Sequence, residues 1–325
     1  MVDKNKKNNS VDIIDFINQL KIKSGNQIFA GFQTDVDKTT EKVILKRYCL
    51  YCHGGVLGKT PILNRRGSNF TLFDKKYVNY ANEKISFKNL DWSNPDDDTR
   101  VKFYLDNISE IVKMMKNWAN GSKKSNKERE QENFIAINND NYVNEDSIVV
   151  SDMEFCVSFG KNKAKPDLVV YYKEKCKNKQ QTKDTIGFVE YKSTKTGFGK
   201  NNSLRKHYDD MKKYVNNNDE LAKSAKKQAV VRFNKLVDDK FIKNVNRIKG
   251  IANVNTKIIF LFSNLKEIKG YILKDLKELE DANDIGILFI EDKVEDKVED
   301  KNWKLPNVTK IMDIKEAKEY LKTLG

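Results

Sequence analysis

Two periodicities alternate along this chain. VDIIDFINQL (11–20) spaces its apolar residues as a helix does and predicts a short helix behind a polar tail. From about 26 to 93 the segments turn short, aromatic and β-branched. NQIFAGFQT (26–34), KVILKRYCLYC (42–52) and SNFTLFDKKYVNY (68–80) read as strands, punctuated by Gly54, Gly55, Gly58 and Gly67. A turn-like NPDDD (94–98) precedes a helix whose apolar stripe is Tyr104, Ile108, Ile111, Val112, Met115 and Trp118, with Gly121 just past its end. Another helix is expected from Ser125, where Ser125 and Glu128 have capping-box spacing.

Three strand candidates follow closely: SIVVSDMEFCVSF (147–159), PDLVVYY (166–172) and TIGFVEYK (185–192). Next comes a helix, SLRKHYDDMKKYV (203–215), and a long basic helical stretch at about 219–249. The strand KIIFLFS (257–263), a helix near 270–283, the strand GILFIE (286–291) and a helix IKEAKEYLKTL (314–324) complete the order. From residue 123 this is a mixed α/β layout, one sheet covered by helices. The expected organisation is a strand-rich amino-terminal region over 1–120, for substrate recognition or assembly, and a second region over 121–325 with 219–249 as a basic helical insertion. EDKVEDKVEDK (291–301) reads as a solvated loop.

Composition narrows the function. With 325 residues and 38% apolar content the chain fills a real core. The longest apolar runs, IIFLF (258–262) and ILFI (287–290), are too short for a bilayer, and no apolar stretch follows the first lysines as in a secretory signal. Four cysteines do not make a disulfide framework, so the expectation is a soluble cytoplasmic protein. The net charge of +14 suits a polyanionic partner such as nucleic acid, although lysine also keeps such a chain soluble. Only His53 and His207 are present, which argues against multi-histidine metal sites and leaves carboxylates, lysines and a hard cation to do any catalysis.

Asp167 opens one strand directly after Pro166; Glu190 and Lys192 close the next, and as residues i and i+2 they share a face. A hairpin symmetric about Asn178–Lys179, with a polar loop over 173–184, sets Asp167 opposite Glu190. Two carboxylates so placed repel, and a structural sheet would avoid the pair. A divalent cation reverses that cost: Mg²⁺ takes oxygen ligands, and the Tyr191 carbonyl is placed to add one. E-x-K recurs at Glu267–Lys269 and Glu316–Lys318, and Pro95–Asp96 is a second P-D, yet only Glu190–Lys192 ends an apolar strand and only Pro166–Asp167 begins its neighbour.

In this context P-D, 22 residues and E-Y-K resemble the PD-(D/E)xK nuclease superfamily over roughly 123–291. The resemblance implies a restriction-endonuclease-like core of helix, three strands, helix and strand. It also implies an Mg²⁺-dependent endonuclease acting on DNA, with Mn²⁺ able to substitute, in restriction or defence against mobile elements. Asp167 and Glu190 would bind the metal with Tyr191, and Lys192 would assist the attacking water. Many members add an acid from the first helix or strand; Glu154 is the better candidate and Glu130 the weaker. Where the family's next helix often carries a Gln with a Tyr four later, this chain has Asp210 and Tyr214, with His207 one turn earlier.

For DNA contacts, the glycine-containing loop 193–202 offers Lys195 and Lys200, the following helix Arg205, and a basic loop beside GKT (58–60) offers Arg65 and Arg66. The 219–249 stretch carries nine Lys/Arg against four acids and suits a solvated amphipathic face, or the lining of a nucleic-acid channel. A homodimer would suit an enzyme that cuts both strands. The rival readings are a non-catalytic nucleic-acid-binding protein on the same fold, a nuclease of repair or of RNA, and a haem or zinc protein centred on Cys49 and Cys52 of CLYCH (49–53). Buried strand cysteines are the simpler account of that motif, and Cys156 and Cys176 are isolated.

Overall fold

The computed structural model describes residues 12–37, 39–61, 75–80, 97–121, 125–155, 165–175, 181–199, 202–216, 219–282, 284–290 and 303–324. Seven α-helices, an antiparallel three-stranded sheet and a mixed five-stranded sheet are formed among them. Arg65, Arg66, Lys200, Cys156, Cys176 and the loop 291–301 lie outside the described residues.

The larger sheet runs β4 (Val149–Met153), β5 (Leu168–Lys175), β6 (Thr182–Lys192), β7 (Asn255–Phe262), β8 (Ile285–Phe289) in that spatial order. The first three are antiparallel neighbours; β7 and β8 continue parallel to β6. A parallel step needs a crossover, and helices supply it. The first is α4 (Leu204–Val215) followed by α5 (Glu220–Asp238); the second is α6 (Leu265–Lys277). The second half of β7, Ile258–Phe262, is apolar and buried on both faces. Alternation along β6 sends Ile186 and Phe188 into one core and Val189 and Tyr191 into another, where they meet Phe134 and Ile135 of α3 (Ser125–Asn138) and Trp303. Glu190 and Lys192 therefore stand on the Phe188 side. α7 (Ile314–Thr323) begins with a reciprocal capping box between Asp313 and Glu316 and packs on β8.

The smaller sheet comprises β1 (Phe29–Val36), β2 (Val43–Cys52) and β3 (Gly55–Pro61). Helices α1 (Ile13–Lys23) and α2 (Asp97–Gly121) join its core, α1 being capped by the Asp12 carboxylate. Several expectations need correcting. Gly55–Pro61, a stretch in which the sequence showed only punctuating glycines, forms β3. Lys75–Tyr80, assigned to a strand, is a 3₁₀ helix that buries Tyr77 against Trp118, their rings edge to face at 4.9 Å. The 173–184 connection is shorter than expected, since β5 continues to Lys175 and β6 starts at Thr182. The helix expected near 270–283 starts at Leu265.

The basic stretch departs most. Its helix ends at Asp238, and α5 is a core element, burying Leu221, Ala225, Ala229, Phe233 and Leu236. Its apolar residues are interspersed with lysines, so a core face looked like a solvated one. α5 also carries the polar link between the sheets. Arg232, 3% exposed, donates from Nε and Nη2 to the Thr34 hydroxyl of β1 (2.9 and 2.6 Å) and pairs through Nη1 with Asp152 of β4. Thr34 in turn donates to Gln228 (2.9 Å), and the guanidinium lies 4.4 Å from the Phe155 ring centroid.

Cys49 and Cys52, three apart on β2, point into different cores, and burial pushes the Cys49 thiol up to about 11 and Cys52 higher still. Their separate burial fits the account of both as core cysteines of a strand. Among the described residues no helix is long and apolar enough to cross a membrane. Losing one partner of a buried ion pair strands the other charge. Asp152→Ala or Arg232→Ala should each cost about 3–5 kcal/mol in urea unfolding. A paired apolar replacement such as Asp152→Leu with Arg232→Met should recover much of that loss.

Candidate active site

The β5–β6 register is the symmetric one, Leu168↔Val189 through Lys175↔Thr182, which puts Asp167 across from Glu190. Asp167 lies just before β5, its N–H donating to the Val189 carbonyl (2.9 Å). Its carboxylate turns along the sheet end and accepts the Tyr191 N–H at 2.9 Å. On β6, the Lys192 ammonium donates to Glu190 Oε1 at 2.5 Å, as the shared face requires. His207 of α4 brings Nδ1 to the same oxygen at 2.9 Å. Its Nε2 is buried and has no hydrogen-bond partner among the described residues. Gly197 lets the loop after β6 close over the lysine stem, because a Cβ there would lie 2.9 Å from Lys192 Cδ.

Helix α3 adds two acids that the sequence reading did not place here. Glu128, read as half of a capping box, instead reaches across and accepts the Ser193 N–H at 3.1 Å. Glu132, one turn on and 5% exposed, faces the charges of Asp167, Glu128, Glu154 and Glu190. Their i,i+4 spacing is the signal that could have found them. It was hidden because a helix start rich in Glu and Lys looks solvated.

Glu154 leaves β4 with φ +48, its N–H bonded to the Asp167 carbonyl (2.8 Å) and its carboxylate 3.7 Å from Arg129. Its neighbourhood is the expected one. Glu130 is not at the site: it points away and meets His53 Nδ1 at 2.8 Å. Lys195 is exposed on the turn Lys195–Gly197 beside the site. Arg205 is committed to Asp281, at 2.7 and 3.0 Å, and to Asp209. On α4, Tyr214 is buried against Phe188 and Asp210 makes no described contact with Glu190, so His207 is the residue of that helix that touches the cluster. The Tyr191 side chain turns the other way, its hydroxyl 2.6 Å from Ser263 and donating to Gln131 at 3.1 Å.

The charges are unevenly balanced. Burial pushes Glu190 up, but the hydrogen bond from His207 and the Lys192 charge outweigh it and hold it below the usual carboxylate range. For Lys192 burial acts downward, yet Glu190 and Asp167 raise it overall, so it stays an ammonium at neutral pH. Burial and the Glu190 charge drive Asp167 well up, and burial with the Asp167 charge does the same to Glu132. Glu128 rises more modestly, mainly by burial, with Lys192 opposing. A pocket of carboxylates whose charged forms are this disfavoured suits a hard cation, and oxygen donors are the Mg²⁺ set. Asp167 and Glu190 would hold it, with Glu132 behind them. Among the described residues no group of three or more His, Cys, Asp or Glu is drawn tightly enough to hold an ion alone, so a main-chain carbonyl and waters would complete the shell.

This imbalance has a consequence for stability. A carboxyl whose pKa is raised on folding binds its proton more tightly in the native state, so it favours folding below its unfolded pKa and loses that contribution as pH climbs through the folded one. Glu132→Gln should therefore raise the melting temperature by a few degrees at neutral pH without divalent cations, and the gain should fade below pH about 4. Thermal melts at both pH values check this.

No protein-family model, no curated protein and no solved structure matches this chain.

Proposed function

We propose that this chain is an Mg²⁺-dependent endonuclease of the PD-(D/E)xK type that hydrolyses DNA phosphodiester bonds, in restriction or another defence against foreign DNA. The observation that carries the reading is the meeting of Asp167, across the hairpin from Glu190, with a Lys192 ammonium 2.5 Å from the Glu190 carboxylate. Such a group of like charges at the end of an otherwise apolar sheet is costly for stability alone. The fold adds support. Helix, three antiparallel strands, helical crossover, parallel strand is the order expected of a restriction-endonuclease-like core, with α5 as an addition to it. The net charge of +14 suits a polyanion.

Within this reading each side chain has a task. Asp167 and Glu190 supply the oxygens for the cation, which when bound neutralises charge on the phosphate and acidifies a water. Lys192, its pKa raised by the Glu190 and Asp167 charges, holds the attacking water by donating a hydrogen bond and steadies developing negative charge. His207 gives Glu190 a second donor and so limits its rotamers. Lys195, exposed beside Lys192, is positioned to meet a neighbouring phosphate. A second copy of the chain would bring the second site needed to cut a duplex.

Supercoiled, linear and single-stranded DNA, and RNA, incubated with Mg²⁺, Mn²⁺ or EDTA, test the proposal. Cleavage of DNA should need the cation. Asp167→Ala and Lys192→Ala should each lower it by roughly 100-fold or more in protein that melts normally. Undiminished cutting by either variant overturns the assignment. Salt-sensitive binding with no cleavage in any metal would favour the non-catalytic nucleic-acid-binding alternative.

A further inference from the structure

The turn joining β2 to β3 is wedged against α3 at the stretch that carries the helical carboxylates. His53 adopts φ +45 and is 2% exposed. Its Nδ1 lies 2.8 Å from Glu130, its Nε2 2.8 Å from the Gln27 side-chain oxygen, and its ring stands edge-on to Phe134 at 5.6 Å. Gly54 has φ +73 and sits so close to the helix that a Cβ would lie 2.6 Å from the Arg129 carbonyl carbon and 2.7 Å from the Glu130 nitrogen. Only glycine meets both demands there.

Glu130 lies midway between Glu128 and Glu132. At about 100° per residue, positions two apart on a helix look in nearly opposite directions, so Glu130 faces the turn while its neighbours face the site. Glu128 and Glu132 of α3 face Asp167 and Glu190 across the sheet end, and their like charges oppose a closer approach of the helix. The buried His53–Glu130 pair and the Gly54 wedge act on the same two turns of α3 from behind.

We infer that the His53–Gly54 turn is a positioning element of the metal site: it sets how closely Glu128 and Glu132 approach Asp167 and Glu190, and so how tightly a divalent cation is held. The inference rests on the metal-site reading above. It also gives the amino-terminal sheet a task other than substrate recognition. Among the described residues the turn's contacts with α3 are to Arg129 and Glu130 and the Phe134 ring, and it acts through them.

The test is calorimetric titration of the full-length protein with Mn²⁺, alongside thermal melts and plasmid cleavage. Gly54→Ala should bind Mn²⁺ roughly tenfold more weakly while remaining folded. Glu130 supplies a second pair of variants that separates position from charge. Glu130→Gln keeps a hydrogen bond to His53 and should bind like wild type; Glu130→Ala removes the same charge but also the tether, and should bind as weakly as Gly54→Ala. Surface Lys46→Ala on β2 is the control. Equal loss in Glu130→Gln and Glu130→Ala, or wild-type affinity in a folded Gly54→Ala, overturns the inference and leaves the nuclease reading intact. A wild-type protein that takes up no divalent cation overturns both.

Discussion

Mutual repulsion among carboxylates at one end of the larger sheet is the constraint around which this molecule is arranged. Asp167, Glu190, Glu128 and Glu132 converge there with Glu154 close by, and the described side chains in contact with the Glu190 carboxylate are Lys192 and His207. Backbone donors take part of the load: Tyr191 N–H serves Asp167 and Ser193 N–H serves Glu128. What remains unbalanced appears as raised proton affinity at Asp167 and Glu132. Such a site stays assembled only if stronger forces hold its parts, and the surrounding apolar packing provides them.

Those forces come from three directions. The hairpin ladder of β5 and β6 locks Asp167 opposite Glu190, and the parallel β7 beyond it, buried on both faces, fixes the end of β6. α3 packs Phe134, Ile135 and Ala136 into the core behind Tyr191. The amino-terminal sheet then braces two separate parts of the site. Through Thr34 and Arg232 it grips Asp152, two residues before Glu154; through His53 and Gly54 it grips α3. A polar link at each point has directional demands that apolar contact lacks, which suits elements whose spacing matters.

Much of this was legible in linear form. The alternation around 149–192, the P-D start and the E-x-K end of neighbouring apolar strands, and a polar connection of near-even length were enough to place Asp167 across from Glu190, because hairpin pairing is local and side-chain period is 2. Helix starts at Asp12, Ser203 and Asp313 are likewise written in their capping residues. The strand at 55–61 was obscured because Gly55 and Gly58 resemble turn residues when read without the partner strand that β2 supplies.

Long-range choices were not written locally. Nothing near Glu128 or Glu132 distinguishes acids buried at the end of a sheet from acids on a wet helix surface; that depends on Ser193 and Asp167, tens of residues away, arriving beside them. Glu130 shows the same point in reverse, since its buried partner is His53 from another sheet. α5 looked like a solvated amphipathic face because the stretch around it is rich in lysine and arginine, while the faces it buries are decided by contact with both sheets. Period and register follow from steric rules between adjacent residues, so the strands, their pairing and the Asp167–Glu190–Lys192 patch could be read along the chain. Which charges are buried together depends on surfaces brought into contact by folding, and only the assembled structure places α3, His207 and the amino-terminal sheet around that patch.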